Sequence, residues 1–185
     1  EETISCFAES LKTEARKLVL TTGGKLRELA EKAGLPVVLI DCQAPPRAAF
    51  PHSFISLLGI FNVLGLVQDK SNDLAEALQI LEAVSDSANE GIPLALNPAK
   101  QLATELQGHL AVVYGAGLLS EVAQRWKTQL NENSKIPSKW EYFPELNHNE
   151  IVGWEKAGPL HRQIAVVMLR DADSSPEERA RLMLT

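Results

Sequence analysis

The apolar positions in the first seventy residues alternate between a helical spacing and short continuous runs. Ile4, Phe7 and Leu11 recur at intervals of three or four residues, as on the buried face of an amphipathic helix. The run Val37-Val38-Leu39 is apolar throughout, as in strands buried on both faces of a parallel sheet. The predicted elements are a helix over 3–15, a strand over 18–20, a helix over 25–33 that stops at Gly34, and a strand over 36–40. This order predicts an α/β layer with a parallel sheet.

A long amphipathic helix is predicted over 71–90, where apolar residues recur on one face. Ser71 is its expected N-cap, because a serine at this place accepts a hydrogen bond from the first helical turn. An irregular, proline-containing segment over 43–47 and an apolar helix over 48–66 precede it. We place the boundary between two domains, 1–70 and 71–185, at the start of this helix.

Apolar runs also mark the strands of the second half. The segments HLAVVY at 109–114 and QIAVVML at 163–169 predict buried core strands. A capped helix is expected to start at Ser175, with a proline just inside it. The remaining predicted elements are helices over 97–107 and 118–130, a strand over 140–143, a loop at 147–149 and a helical turn at 151–156. The second half therefore repeats the strand–helix alternation of the first.

Composition narrows the class of protein. The chain has 185 residues, is 45% hydrophobic and carries a net charge of −6, so it can bury a core and is not expected to bind nucleic acid or an anionic membrane. The most apolar stretch, 54–67, is interrupted by glycine and asparagine and falls short of the roughly 18 residues of a membrane span, so it is interpreted as a buried helix. Cys6 and Cys42 lie outside any CxxC or metal-ligand spacing, which predicts reduced thiols in a cytoplasmic protein.

Two candidate anion-binding features lie in the first half. Gly23 and Gly24 separate a predicted strand from a helix, where a glycine turn can cradle an anion at the helix N-terminus. An ordinary tight turn explains the same residues equally well. Arg47 follows two prolines, and a guanidinium on a rigid loop is suited to stabilising a negative charge. A surface arginine after a proline turn is the alternative.

Two candidate acid–base residues lie in the second half. Glu132 stands between two asparagines and ahead of Lys135, which suits an oriented general base, although a solvated helix end has the same composition. His148 lies in a polar loop, where an imidazole can act as acid or base near neutral pH or serve only as a structural hydrogen-bonding group. The other three histidines show no ligand spacing relative to His148, so no metal site is expected.

Four segments together resemble one family in their order and spacing. They are TTGGKL at 21–26, APPRAA at 44–49, RWK at 125–127 leading into NENSK at 131–135, and PELNHNEIVGW at 144–154. In these segments the chain resembles the bifunctional phosphoglucose/phosphomannose isomerases of bacterial and archaeal type, over nearly its whole length. The resemblance implies two sugar-isomerase (SIS) domains, each a three-layer, flavodoxin-like α/β domain with a parallel sheet. Residues 1–70 would then be the C-terminal part of the first domain, and 71–185 the second, more complete one.

The resemblance also implies a reaction and its residues. The family interconverts aldose and ketose 6-phosphates, here glucose 6-phosphate and fructose 6-phosphate, through a cis-enediol and without a metal or redox cofactor. Glu132 would move the proton between C2 and C1, His148 would open the sugar ring, and Arg47 would stabilise the enediolate. Further substrate contacts are implied at Thr3, Thr22, Gly23, Gly24, Asn131, Asn133 and Lys135. The family's active site lies at the interface of a homodimer, and the histidine reaches across from the other protomer.

The chain also departs from the family pattern. Members carry a phosphate-binding loop of the form SxSGNT immediately before an ET pair, and the chain begins at Glu1-Glu2-Thr3. The family's N-terminal glycine-rich segment and its C-terminal tail with an active-site lysine have no counterpart here either. We therefore expect a chain that is truncated at both ends and holds the acid–base half of the site.

Two other functions fit parts of the sequence. A non-catalytic SIS module that binds a sugar phosphate for regulation would not need Glu132, His148 and Arg47 together. Another SIS-fold enzyme, such as an amidotransferase isomerase domain, is disfavoured by the NENSK and ELNHNE segments. No motif in the chain reports whether mannose 6-phosphate is also a substrate.

Overall fold

The computed structural model describes every residue from Glu1 to Thr185. The chain divides into two compact units, Glu1–Leu74 and Ala75–Thr185. Both units contain parallel strands and helices, so the predicted α/β class is confirmed. The division between the units falls inside one helix, and the domain boundary proposed at 70/71 stays a prediction.

Nine α-helices and five strands make up the chain. The helices are α1 Glu2–Ser10, α2 Gly24–Lys32, α3 Phe50–Val63, α4 Ser71–Ala88, α5 Pro98–Leu106, α6 Leu119–Gln129, α7 Glu145–His148, α8 Glu150–Trp154 and α9 Pro176–Leu184. The strands are β1 Val19–Thr21, β2 Val37–Leu39, β3 Leu110–Ala116, β4 Ser138–Phe143 and β5 Ile164–Met168. Short 3-10 turns cover Pro46–Ala48, Leu94–Leu96 and Gly158–Gln163, and a π-helical turn, Leu130–Ser134, extends α6.

The first unit is built on a two-stranded parallel sheet. Strands β1 and β2 pair in register from Val19 opposite Val37, and α2 connects them. The buried residues Phe7, Val19 and Ala30 form its core. Helix α2 ends as predicted: Gly34 has φ of +67°, and the N–H of the following residue donates to the Ala30 carbonyl at 3.0 Å.

The second unit is built on a three-stranded parallel sheet in the order β4-β3-β5. The central strand β3 is buried from Ala111 to Ala116, as predicted for a core strand. The main core cluster joins residues of β3 and β4 to α7 and α9: Val112, Tyr114, Ala116, Phe143, Leu146 and Leu182. Through Leu146, the segment that follows β4 therefore packs into the core of the unit.

Two other strands are less buried than predicted. Leu39 at the end of β2 is 52% exposed, and Val166 in the middle of β5 is 49% exposed. The prediction assumed sheets covered on both faces. Here β2 belongs to a sheet of only two strands and β5 is an edge strand, so neither is enclosed as a central strand is.

The interpretation of 54–67 as a buried helix is wrong for this structure. Helix α3 starts later than predicted, after the 3-10 turn Pro46–Ala48, and none of its residues is buried. Phe54 is 49% exposed and Phe61 is 43% exposed. Apolar composition predicts burial only where a second layer is present to cover the helix, and no such layer covers α3 here. No helix of the chain is both long and apolar enough to span a membrane.

Polar side chains set two helix ends differently from the prediction. At the start of α4, the Asp69 carboxylate accepts hydrogen bonds from the Ser71 N–H at 3.0 Å and from the Ser71 hydroxyl at 2.6 Å. The aspartate therefore supports this helix end, and Ser71 is a donor instead of the predicted cap. Helix α1 ends at Ser10, five residues before the predicted end, where the hydroxyls of Ser10 and Thr13 donate to main-chain carbonyls of its last turn.

Candidate active site

Glu132 is exposed in the π-helical turn Leu130–Ser134. The turn ends at Lys135, which has a left-handed backbone with φ of +60°. A left-handed residue other than glycine costs roughly 1–2 kcal/mol. The Lys135 ammonium donates to the main-chain carbonyl of Glu132 at 2.5 Å and so holds the turn closed. Single π-helical turns and strained residues of this kind cluster at functional sites in proteins.

Asn131 ties this turn to the start of β4. Its side-chain oxygen accepts from the Ser138 N–H at 3.0 Å and from the Ser138 hydroxyl at 2.8 Å. The same hydroxyl lies 2.9 Å from the carbonyl of Lys127 in α6. Since Ser138 is only 5% exposed, these hydrogen bonds are buried. They fix the position of the turn that carries Glu132 relative to the start of β4. The predicted substrate contact of Asn131 stays a prediction alongside this structural role.

A cleft with three lysines lies beside the turn that carries Glu132. Asn133 and Lys135 are both exposed, and the Asn133 amide donates to the side-chain oxygen of Gln129. An open cleft of about 470 Å³ beside the turn is lined by Lys127, Lys135 and Lys139, among others. The arrangement places lysine ammonium groups where an anionic substrate could approach.

His148 is exposed at the last position of α7. The prediction of a loop at 147–149 is wrong in this respect, because the chain forms one helical turn directly after β4. The turn is held by the side chain of Leu146, which is 1% exposed. On either side of His148, the Asn147 amide donates to the Thr185 hydroxyl at 2.8 Å and the Asn149 amide donates to the Glu145 carboxylate at 2.7 Å.

A hydrogen-bonded group that includes Glu150, two residues after His148, was not predicted from the sequence. The Tyr114 hydroxyl, in β3, donates to the Glu150 carboxylate at 2.5 Å and accepts from the Trp154 indole N–H at 3.2 Å. Burial, reinforced by the hydrogen bond to Glu150, raises the pKa of Tyr114 above its usual value. The available signals were a tyrosine in an otherwise apolar strand and a glutamate and a tryptophan four residues apart.

Glu132 and His148 lie at opposite ends of β4 within one chain. The turn that carries Glu132 is bonded to Ser138, the first residue of the strand, and His148 follows Phe143, the last. A six-residue strand rising about 3.3 Å per residue separates these ends by roughly 17 Å. One copy of the chain therefore does not bring the two predicted acid–base residues together.

The predicted contact residues of the first unit are Thr3, Thr22, Gly23, Gly24 and Arg47. The glycine turn directly follows β1, and the half-buried Arg47 lies in the 3-10 turn after β2. The N–H of Ile40 donates to the carbonyl of Thr21 at 2.9 Å, so the two strands end side by side. Thr3 is exposed in the first turn of α1. The carboxyl edge of a parallel sheet is where α/β proteins bind ligands, and four of these five residues follow that edge.

Titratable side chains do not form a metal-binding cluster in this chain. No group of three or more His, Cys, Asp or Glu residues is arranged to hold a metal ion. Cys6 and Cys42 are both free thiols. The expectation of a reaction without metal or redox cofactor stays a prediction.

Residues 95–185 match the family of the bacterial phospho-glucose isomerase C-terminal SIS domain. Over its full length the chain is 38% identical to the bifunctional phosphoglucose/phosphomannose isomerase of Caldicellulosiruptor bescii, of which it covers 55%. It is 30% identical to the protein of the same description from Aquifex aeolicus, with 94% of this chain and 50% of the relative covered. The chain thus spans about half the length of the curated relatives it matches.

Two further proteins are similar to this chain. The chain is 31% identical over 134 residues to a D-glucosamine-6-phosphate 4-epimerase of Sulfolobus acidocaldarius, covering 72% of this chain and 40% of that protein. A crystal structure of a protein assigned to sugar binding from Salmonella typhimurium LT2 superposes with a TM-score of 0.52 at 19% identity, covering 95% of this chain and 61% of that one. At this identity the structural likeness supports the fold alone.

Proposed function

This chain belongs to the phosphoglucose/phosphomannose isomerase family of SIS-domain proteins, and we propose that the intact protein interconverts glucose 6-phosphate and fructose 6-phosphate. The observation that carries the proposal is the 38% identity over the whole chain to a bifunctional isomerase. The chain keeps a carboxylate, an imidazole and a guanidinium at Glu132, His148 and Arg47, which is the set of groups that the reaction requires. Mannose 6-phosphate is a second proposed substrate, by analogy with the bifunctional relatives.

The proposed route has three chemical requirements. His148 transfers a proton to the ring oxygen of the cyclic sugar and opens it. Glu132 then removes the proton from C2 of the open-chain aldose and returns it to C1, through a cis-enediol. Arg47 provides the fixed positive charge that stabilises the developing enediolate oxygen. Each step is a proton transfer, so the route needs no redox partner.

We further propose that the active site is shared between two protomers of a homodimer. The turn that carries Glu132 is bonded to the first residue of β4, and His148 follows its last residue; these strand ends are about 17 Å apart, which supports a site that takes the two residues from different chains. A two-fold axis brings the same two surfaces together reciprocally, so that Glu132 of one protomer faces His148 of its partner. Such a dimer has two equivalent sites.

We also propose further substrate contacts and a cellular compartment. The proposed substrate contacts are Thr3, Thr22, Gly23, Gly24, Asn131, Asn133 and Lys135. The enzyme acts in the cytoplasm, in the glycolytic or gluconeogenic direction, with no nucleic-acid or membrane partner. The two free cysteines support a reducing compartment.

A coupled assay tests the activity directly. Purified intact protein is supplied with fructose 6-phosphate, and the glucose 6-phosphate formed is oxidised by a dehydrogenase that reports NADPH. We expect turnover by the wild type and a loss of at least about 100-fold in kcat for Glu132→Gln, because the amide cannot accept the proton that is removed from C1 of the ketose in this direction. Unchanged turnover in Glu132→Gln contradicts its role as the base.

The same assay separates the alternatives. Tight binding of the sugar phosphates without turnover indicates a non-catalytic binding module. Turnover of glucosamine 6-phosphate in place of fructose 6-phosphate indicates an activity like that of the epimerase relative from Sulfolobus acidocaldarius. Glu105→Gln is a matched control, since Glu105 is exposed in α5 and has no proposed role in the reaction.

A further inference from the structure

The hydroxyl of Tyr114 is a polar group in the core of the second unit. The residue is 3% exposed and belongs to the same apolar cluster as Phe143 and Leu146. Its ring meets that of Phe143 edge-on, with centroids 6.3 Å apart. A phenylalanine would make these apolar contacts equally well, and burying a hydroxyl is unfavourable unless it is hydrogen-bonded. The hydroxyl must therefore be explained by its two partners.

Both partners of this hydroxyl come from the short helix α8. The single Tyr114 proton is donated to the Glu150 carboxylate at 2.5 Å, and a lone pair accepts the Trp154 indole N–H at 3.2 Å. Glu150 and Trp154 are four residues apart and so project from the same face of the helix. One hydroxyl on the central strand thus binds both the first and the last residue of α8.

Helix α8 begins two residues after His148. Only Asn149 separates the imidazole-bearing residue from Glu150, so the position of α8 determines where the backbone of His148 lies. On the other side, Leu146 is buried in the core and the Asn147 amide is bonded to Thr185. The residues around His148 are therefore fixed on both sides, while His148 itself is exposed.

We propose that Tyr114, Glu150 and Trp154 are positioning residues that hold α8 so that His148 is presented correctly to the sugar. This inference rests on the proposed role of His148 in ring opening. None of the three residues needs to touch the substrate. Removing the Tyr114 hydroxyl leaves the Glu150 carboxylate without its donor and the Trp154 N–H without its acceptor, so α8 loses both of these hydrogen bonds to β3.

The first test is the kinetics of Tyr114→Phe. We expect kcat to fall by about 10- to 100-fold, since a displacement of about 1 Å in a catalytic group has effects of this size. KM should stay within about two-fold, because the phosphate and the remaining hydroxyls of the sugar are held elsewhere. Tyr142→Phe is the matched control: this tyrosine lies on β4, is 40% exposed, and should show wild-type kinetics.

The second test distinguishes positioning from general support of the fold. In a His148→Ala background, Tyr114→Phe should cause no further loss of kcat, because the residue acts only through the imidazole. The same fold-loss in both backgrounds overturns the inference, and so does the absence of a loss in the wild-type background.

Glu150 supplies a conservative pair of variants for the case in which Tyr114→Phe does not fold. Glu150→Gln keeps an oxygen that accepts the Tyr114 proton and should retain activity within about three-fold. Glu150→Ala removes the acceptor and should lose about as much as Tyr114→Phe. Equal activity of the two Glu150 variants contradicts the positioning role.

Hydrogen exchange gives a readout that does not depend on activity. The amides of residues 148–154 should exchange at least about ten-fold faster in Tyr114→Phe than in Tyr142→Phe. Unchanged exchange there contradicts the positioning inference even if the protein is an isomerase. Faster exchange in a protein that shows no isomerisation supports the attachment of α8 and contradicts the proposed function instead.

Discussion

Replacing Asn131 by alanine should destabilise the protein, although it removes no buried apolar group. The Asn131 side-chain oxygen accepts both the N–H and the hydroxyl of Ser138, which is 5% exposed at the start of β4. In Asn131→Ala the hydroxyl can still donate to the carbonyl of Lys127 at 2.9 Å. The buried Ser138 N–H loses its partner, and a buried donor left unpaired costs about 1–3 kcal/mol.

This cost translates into a measurable change in thermal stability. A loss of about 2 kcal/mol corresponds to a fall in Tm of roughly 4–8 °C for a chain of this size. The free energy of unfolding is measured by urea titration, and Tm by calorimetry, for wild type and variant. Because the turn that carries Glu132 is anchored by the same link, kcat should fall as well.

Two control variants make the measurement specific. Asn131→Asp keeps an oxygen acceptor of the same shape, and its charge lies beside Lys127 and Lys135, so it should retain most of the stability. Asn133→Ala alters an exposed side chain two residues away and should change the free energy of unfolding by no more than about 0.5 kcal/mol. If Asn131→Ala unfolds at the wild-type urea concentration, or if Asn133→Ala is the more damaging change, the anchoring role of Asn131 is refuted.

Three further substitutions test the packing and capping of the second unit. Gly115→Ala should lower the free energy of unfolding by about 3 kcal/mol or prevent folding, because its Cβ would lie 2.1 Å from the carbonyl oxygen of Leu119. Circular dichroism measures the effect, and the control Gly153→Ala, where a Cβ meets open space, should fold normally. Leu146→Ala should lower the free energy of unfolding by about 2–5 kcal/mol, since this side chain is 1% exposed; an unchanged urea midpoint contradicts its place in the core. Ser175→Ala should cost about 1 kcal/mol, because the hydroxyl accepts the N–H three residues later at 3.1 Å; Tm measures the effect, and a Tm equal to wild type contradicts it.

Local signals in the sequence predicted two helix ends correctly. Gly34 was expected to stop α2, and it adopts the left-handed backbone with φ of +67° that favours glycine. Ser175 was expected to begin α9, and its side chain and that of Glu178 form a reciprocal capping box. Signals of this kind depend on neighbouring residues only, so no knowledge of the tertiary structure is needed to interpret them.

Burial was harder to predict, because it depends on what lies opposite. The apolar pattern of β3 predicted a core strand correctly, since strands pair with it on both sides. The equally apolar α3 has no buried residue, because no second layer covers it here. Hydrophobic pattern alone does not distinguish the two cases.

The residue types of the candidate site could be predicted from the sequence, but the positions of these residues relative to one another could not. Glu132 and His148 stood out by their polar neighbours, whereas their placement at opposite ends of β4 requires the bounds and direction of the strand. The partners of Tyr114 are 36 and 40 residues away along the chain, so no local pattern connects them. Long-range hydrogen bonds of this kind become visible only in the folded structure.

The central claim is that Glu132 and His148 act in one site but come from different protomers. It is tested by mixing Glu132→Gln and His148→Ala proteins, unfolding and refolding them together, and measuring isomerase activity. Each variant alone should have no more than about 1% of the wild-type activity. In a 1:1 mixture half of the dimers pair one variant with the other, and each of these has one intact site of two, so about a quarter of wild-type activity should return. A mixture that stays as inactive as its components, although mixed dimers form, contradicts the shared site.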